Sequence, residues 1–197
     1  MRNIARLGDF VRSFTQLIEQ VGQDEEHIFA DGKVLLTELI SHDDWLPDEF
    51  AQPNPEYYQQ YLLYCDPLER FSVVSFVWGP GQETPVHDHS VWGMVGVMRG
   101  AESCEEFYLD PESERFASKG THYLPVGSID LVSPRIGDIH KVSNAHSNHT
   151  SLSIHVYGAN IGGVSRHGYE PGTGKKKVFI SGYSNEVLPN IWDRTKE

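Results

Sequence analysis

The residues best suited to chemistry are histidines, and seven of the ten lie between His87 and His155. In the segment TPVHDHSVWGMV, residues 84–95, His87 and His89 are separated by a single residue. The segment is typical of a β-strand, in which alternate side chains project from one face, about 7 Å apart. The two imidazoles could therefore bind one metal ion together, although an isolated His-x-His pair is equally typical of two buried, hydrogen-bonded histidines.

Two longer patterns surround these histidines. Residues 81–100 follow G-x5-H-x-H-x3-G-x6-G, and residues 134–144 follow P-x2-G-x2-H-x3-N, which adds His140. Together they resemble the two motifs of the cupin superfamily. The resemblance implies a small double-stranded β-barrel that binds a divalent metal through His87, His89 and His140. Gly93 and Met94 stand where a cupin glutamate is usual, so the implied site has three neutral imidazoles and no carboxylate.

This donor set leaves the identity of the metal open. Three imidazoles without a carboxylate leave the full charge on a ferrous ion, which favours an anionic substrate ligand such as a thiolate. Zinc also accepts three histidines plus a water molecule, and such a site would support hydrolysis or isomerisation. The spacing of the histidines does not separate the two metals.

A further pattern lies in TSLSIHVYG, residues 150–158, where Ser153, His155 and Tyr157 alternate and so share one face of a strand. By itself this pattern predicts hydrogen bonding within the core. Together with the three histidines and the segment YYQQYL, residues 57–62, it resembles the thiol dioxygenases, the family of cysteine dioxygenase. The resemblance implies an Fe(II) cofactor and a Ser-His-Tyr relay in which the hydroxyl of Tyr157 reaches toward a thiol substrate and O2.

Within that family, the sequence resembles the bacterial glutamine-type branch, of which 3-mercaptopropionate dioxygenase is an example. Gln60 stands where animal-type enzymes have a carboxylate-binding arginine, Gly93 where they have a cysteine crosslinked to the tyrosine, and Gly158-Ala159 where they have a Ser-Pro bond. We therefore expect no crosslink. A buried substrate carboxylate still needs a cation, and Arg166 is the candidate, with a solvated surface arginine as the alternative. Gln60, Arg166 and Tyr58 are the predicted substrate-binding residues.

The periodicity of the first third of the chain predicts helices. Apolar residues at three- and four-residue steps predict a helix over residues 7–21, and a weaker pattern predicts a second over residues 31–41. Asn54-Pro55 is typical of a helix start. We predict a third helix from there to Asp66-Pro67.

From Phe71 onward, short runs rich in Val, Ile and aromatic residues alternate with Gly, Pro, Asn and Asp, which predicts strands. The fold class predicted is all-β, a cupin double-stranded β-barrel with N-terminal helices packed on it. We expect one domain over residues 1–197, with a helical portion at 1–66 and the barrel at 71–185. The last dozen residues are expected to follow the surface.

The composition of the chain limits the classes of binding partner that we expect. The formal net charge of −12 repels nucleic acid and anionic membranes, so we expect neither as a partner. No apolar run approaches the roughly 20 residues of a membrane helix, and no export signal is visible. The two cysteines, Cys65 and Cys104, are far apart and predict no disulfide. We expect a cytoplasmic monomer or weak homo-oligomer.

The leading hypothesis is an Fe(II)-dependent thiol dioxygenase. Its substrates would be O2 and a small mercapto-carboxylate, with 3-mercaptopropionate favoured, and its product the sulfinic acid. The alternatives are a cysteine dioxygenase, a mercaptosuccinate dioxygenase, a zinc cupin acting as isomerase or hydrolase, and a non-catalytic binding cupin. Several residues are predicted to be structural or to lie in loops or on the surface: Asp88, Trp78, Trp92, Cys104, His122, His146 and His149.

Overall fold

The computed structural model describes residues 3–110, 112 and 115–193. Two helices precede the strands: α1 (Ala5–Val21) and α2 (Glu25–Ile40). The strands are β1 (Gln59–Cys65), β2 (Ser72–Trp78), β3 (Val86–His87), β4 (Gly93–Arg99), β5 (Ala101–Leu109), β6 (Phe116–Pro125), β7 (Ile129–Val132), β8 (His140–Asn144), β9 (Ser151–Tyr157), β10 (Arg166–Glu170) and β11 (Lys175–Phe179).

The strands form two antiparallel sheets. The five-stranded sheet has the order β1-β2-β9-β4-β7, and the six-stranded sheet has the order β11-β10-β3-β8-β5-β6. The central strand β9 is buried along its whole length between β2 and β4. Short β3 lies between β8 and β10. The structure confirms the predicted fold class, an all-β barrel of two antiparallel sheets with N-terminal helices packed on it.

The two helices cover one face of the five-stranded sheet. The apolar stripe of α1 is buried, and α2 packs on β4, where Gly96 lies beneath Leu36 and Ile40. The first helix has the predicted position. The second begins at Glu25, before the predicted start at residue 31, because Asp24 caps it by accepting hydrogen bonds from two backbone N–H groups. Neither helix is long and apolar enough to cross a lipid bilayer.

The predicted third helix is wrong. Gln59–Cys65 is strand β1, paired antiparallel with β2 at the edge of the five-stranded sheet. The side chain of Asn54 accepts a hydrogen bond from the N–H of Glu56 and so closes a turn rather than capping a helix. The seven residues of β1 include four consecutive aromatic or aliphatic residues, 61–64, which suit a helix and a strand equally, and pairing with β2 decides for the strand. Gln60 consequently lies on a strand.

The C-terminal segment follows the surface in the part that the structure describes. Ile191 packs against the helical core, and its carbonyl oxygen lies beside Gly8 of α1. Trp192 is exposed. Residues 194–197 of the predicted surface segment lie outside the described residues.

Candidate metal centre

Three histidines from two separate segments meet inside the barrel. His87 ends β3, His89 follows it by two residues, and His140 begins β8, directly opposite His87 in the strand register. The potential ligand atoms of the three side chains all lie within 4.8 Å of one another. All three side chains are buried, and their ring centroids are 4.8 to 4.9 Å apart. The fold thus brings together the three predicted metal ligands.

Hydrogen bonds fix which nitrogen of each ring is free. The Nδ1 atoms lie 3.0 Å from the Pro85 carbonyl oxygen for His87, 2.8 Å from Asp138 Oδ1 for His89, and 3.4 Å from Cys104 Sγ for His140. A backbone carbonyl and a carboxylate only accept, so Nδ1 of His87 and of His89 carries the proton and their Nε2 atoms keep a lone pair for a metal. His140 has the same arrangement when its Nδ1 donates to Cys104 Sγ.

The protonation state of the three rings also suits metal binding. Burial lowers the pKa of His87 to about 4. Burial also lowers the pKa of His89 and of His140 well below the usual value. The rings are therefore neutral at physiological pH, which is the form of imidazole that binds a metal.

Asp138 is a site residue that the sequence reasoning missed. Its carboxylate accepts hydrogen bonds from the backbone N–H groups of His89 and Ser90 as well as from the His89 ring. It therefore fixes both the backbone and the ring of one predicted ligand. Its position two residues before His140, inside the second motif, was the available signal.

A second group of possible ligands lies behind His140. Cys104, Asp130 and His140 also have donor atoms within 4.8 Å of one another. Burial raises the pKa of the Cys104 thiol far above its ordinary value, and the charge of Asp130 adds to this effect. Cys104 thus stays a thiol. It acts as a buried hydrogen-bond partner that orients His140, not as a thiolate ligand.

The predicted Ser-His-Tyr relay, which we define as Ser153, His155 and Tyr157, forms a continuous chain on β9. The Ser153 Oγ to His155 Nε2 distance is 2.8 Å, and the His155 Nδ1 to Tyr157 Oη distance is 2.7 Å. The Tyr157 ring stacks on His89 with centroids 5.3 Å apart. Burial raises the pKa of Tyr157, opposed in part by the charge of Arg166, so the relay ends in a neutral phenol beside the three histidines.

A cavity of about 990 Å³ opens in front of the histidines, and Gln60, Tyr58, Tyr157 and Arg166 all line it. The Gln60 side-chain amide donates a hydrogen bond to the Gly182 carbonyl. Tyr58 packs against Trp78 with ring centroids 4.8 Å apart. The three predicted substrate-binding residues therefore share one cavity with the histidines and the relay.

Arg166 is buried, with 4% of its surface exposed, and is not a solvated surface arginine. Its Nη2 donates a hydrogen bond to Ser181 Oγ at 2.5 Å, and its guanidinium lies 4.8 Å from the centroid of the Phe179 ring. Its Nε has no hydrogen-bond partner within the described part of the chain. The guanidinium therefore retains donor capacity beside the cavity. Phe179 and Ser181 were not singled out from the sequence because nothing local marks them.

The other singled-out residues lie outside the histidine cluster. Asp88 accepts hydrogen bonds from the backbone and ring of His167 and from the Tyr169 hydroxyl, so it ties β10 to the segment that follows β3. Trp78 and Trp92 are buried in the core. His122 Nε2 lies 3.3 Å from Asp130 Oδ2, and the ring centroids of His146 and His149 are 3.8 Å apart.

No protein-family model matches the sequence. Similar solved structures include a conserved protein with a double-stranded beta-helix domain from Klebsiella pneumoniae, with 16% identity and a TM-score of 0.47, covering 71% of this chain and 94% of that chain. An RmlC-like cupin protein from Desulfovibrio desulfuricans has 21% identity and a TM-score of 0.40, covering 55% and 88%. Oxalate oxidase in complex with glycolate has 16% identity and a TM-score of 0.45, covering 57% of each chain. All three TM-scores lie below 0.5, so these structures do not bear on the function of this protein.

Proposed function

We propose that this protein is an Fe(II)-dependent thiol dioxygenase that converts a small mercapto-carboxylate, preferably 3-mercaptopropionate, and O2 into the sulfinic acid. The main support is one cavity in which three neutral imidazoles, a buried phenol and a buried guanidinium converge. The three free Nε2 atoms fit a ferrous ion in number and type. When bound, such an ion supplies a cationic centre at which a thiolate and dioxygen can meet.

Arg166 binds the carboxylate of the substrate in this proposal. A buried cation with an unpaired Nε gains from an anion, because a guanidinium donates two parallel hydrogen bonds to a carboxylate. Tyr58 and Gln60 form the adjacent wall. Holding the carboxylate at one end of the cavity fixes the position of the thiol at the other end, and this positioning lowers the entropic part of the barrier.

Tyr157 serves as the hydrogen-bond donor beside the reacting groups. Its raised pKa keeps the proton on the phenol, and His155 sets the orientation of the hydroxyl. Phe76 stacks on the His155 ring with centroids 4.1 Å apart. The relay is therefore rigid and shielded from water, which strengthens its hydrogen bonds.

A cationic rim makes mercaptosuccinate the second candidate. Lys175 and Lys177 are placed on the same face of β11 as Phe179, which contacts Arg166. Lys177 lies opposite Gly168 on β10, which has no side chain to cover it. Because the protein as a whole is strongly negative, this local positive charge favours anions at the cavity mouth. In mercaptosuccinate, the second carboxylate would lie against these lysines.

The test combines metal analysis with oxygen uptake. Protein loaded anaerobically with Fe(II) should consume one O2 per thiol with 3-mercaptopropionate, more efficiently in kcat/KM than with L-cysteine. Protein loaded with Zn(II) should be inactive and is the matched control. Stoichiometric zinc in the purified protein with no oxygen uptake would favour the zinc isomerase or hydrolase. Thiol binding without oxygen loss would favour a binding cupin.

A further inference from the structure

Glu102 of β5 is a buried carboxyl group to which the proposed function assigns no role. It is 0% exposed. Neither of its carboxylate oxygens has a hydrogen-bond partner among the residues that the structure describes. Burial raises the pKa of Glu102 to about 7. An unpartnered carboxyl at this depth is costly to keep, so its retention calls for a physical explanation.

Glu102 lies at the Ser153 end of the relay, across the barrel from β9. The Ser153 hydroxyl and the Trp78 indole N–H are the neighbours that act to lower its pKa. The Trp78 Nε1 also donates to Ser153 Oγ at 3.4 Å. A small rotation of the Ser153 hydroxyl therefore decides whether its proton points to Glu102 or to His155.

The surroundings of Glu102 contain few other charges. Leu124 on β6 and Asn144 on β8 are opposite it in the register and are uncharged. The titratable groups that interact with it electrostatically are Asp130 on β7, Cys104 on β5 and Tyr157 on β9. None of these groups is a cation that could hold Glu102 in its ionised form, and the raised pKa values of Cys104 and Tyr157 keep both of those groups protonated. The protonation of Glu102 itself is therefore the main change in local charge near neutral pH.

We propose that Glu102 is a positioning residue whose protonation sets the direction of the hydrogen bonds along the relay. When Glu102 is ionised, the Ser153 hydroxyl donates to it, His155 Nε2–H donates to Ser153, and the Tyr157 hydroxyl donates to His155 Nδ1. The phenol proton then points away from the cavity.

When Glu102 is protonated, the order reverses. The Ser153 hydroxyl donates to His155 Nε2, His155 Nδ1–H donates to the Tyr157 oxygen, and the Tyr157 hydroxyl can donate into the cavity. The two arrangements differ by one proton on Glu102 and by the ring nitrogen of His155 that carries its proton. Ser153 and Tyr157 keep their protons in both. The effect on turnover rests on the proposed function, whereas the tautomer of His155 does not.

The test reads the tautomer of His155 in the metal-free protein by long-range ¹H–¹⁵N spectroscopy, from about pH 5 to about pH 9. Burial keeps the pKa of His155 well below its usual value, so any change reports the tautomer and not ring protonation. The wild type should convert from Nδ1–H to Nε2–H with a midpoint near the Glu102 pKa of about 7. Glu102→Gln should keep Nδ1–H throughout.

The control is Glu105→Gln on the same strand. Glu105 lies on the opposite face of β5 and pairs with Lys141, so this variant should titrate like the wild type. A single tautomer throughout in the wild type, or unchanged titration in Glu102→Gln, would overturn the proposal. If Glu102→Gln does not fold, Ser153→Ala provides the same test, because it removes the hydroxyl that links Glu102 to His155. A pH-dependent change of the His155 tautomer that persists in Ser153→Ala would also overturn the proposal. Absence of oxygenase activity would reject the proposed function without altering these spectra.

Discussion

Replacing His140 by Ala is expected to reduce bound iron to background and to lower turnover by on the order of a thousandfold. The substitution removes one of three Nε2 donors, all of which are buried and held by hydrogen bonds through Nδ1. Two imidazoles without a carboxylate form too weak a site to retain Fe(II). Iron content and oxygen uptake measured on the same sample check both parts of the prediction.

His146→Ala is the matched control for this prediction. His146 is a loop histidine whose ring lies 3.8 Å from that of His149, outside the histidine cluster. The control should retain iron and activity. Stoichiometric iron and normal turnover in His140→Ala would refute the ligand assignment.

Replacing Arg166 by Gln is expected to lower kcat/KM for 3-mercaptopropionate by roughly a hundredfold, which corresponds to about 3 kcal/mol. The variant loses the buried guanidinium that pairs with the substrate carboxylate in our proposal. A thiol without a carboxylate, such as 2-mercaptoethanol, should lose far less. The measurement is steady-state oxygen uptake with both thiols.

Two lysines provide comparison variants for Arg166→Gln. Lys177→Gln should lower kcat/KM for mercaptosuccinate more than for 3-mercaptopropionate, because only the former has a second carboxylate. Lys33→Gln removes the same charge from the exposed face of α2, away from the cavity, and should change kcat/KM for neither substrate. An Arg166→Gln enzyme with an unchanged kcat/KM for 3-mercaptopropionate would contradict the role of the arginine.

Much of the fold follows from local pattern. The apolar stripe of α1 and the short β runs after Phe71 depend on periodicity within one element, and the structure agrees with them. Strand β1 could not be predicted in this way. The apolar residues of β1 fit the repeat of a helix as well as that of a strand. The deciding interaction is the hydrogen-bonded pairing of β1 with β2, which local sequence does not reveal.

The same distinction between local pattern and distant contacts applies to the residues of the site. His87, His89 and His140 stand in motifs of fixed spacing, so their types and order pointed to a metal centre. Their partners depend on contacts between distant segments: Asp138 is 49 residues from His89, and Cys104 is 36 residues from His140. No spacing rule joins such residues.

The same reason explains why Glu102 and Ser181 were not predicted. Glu102 faces β9 across the barrel, and Ser181 reaches Arg166 from the segment after β11. Only the closure of the two sheets brings these side chains to the relay and to the cavity. The sequence indicated the chemistry of the site, and the tertiary packing determines its hydrogen bonds.

The central claim is that the three histidines hold a ferrous ion that supports insertion of dioxygen into a thiol. The most direct measurement is the mass of the product formed from 3-mercaptopropionate by the Fe(II)-loaded protein under ¹⁸O2. We predict a sulfinic acid in which both oxygen atoms bonded to sulfur carry the label. A product with no label, or no sulfinic acid from any of the three candidate thiols, would contradict the claim.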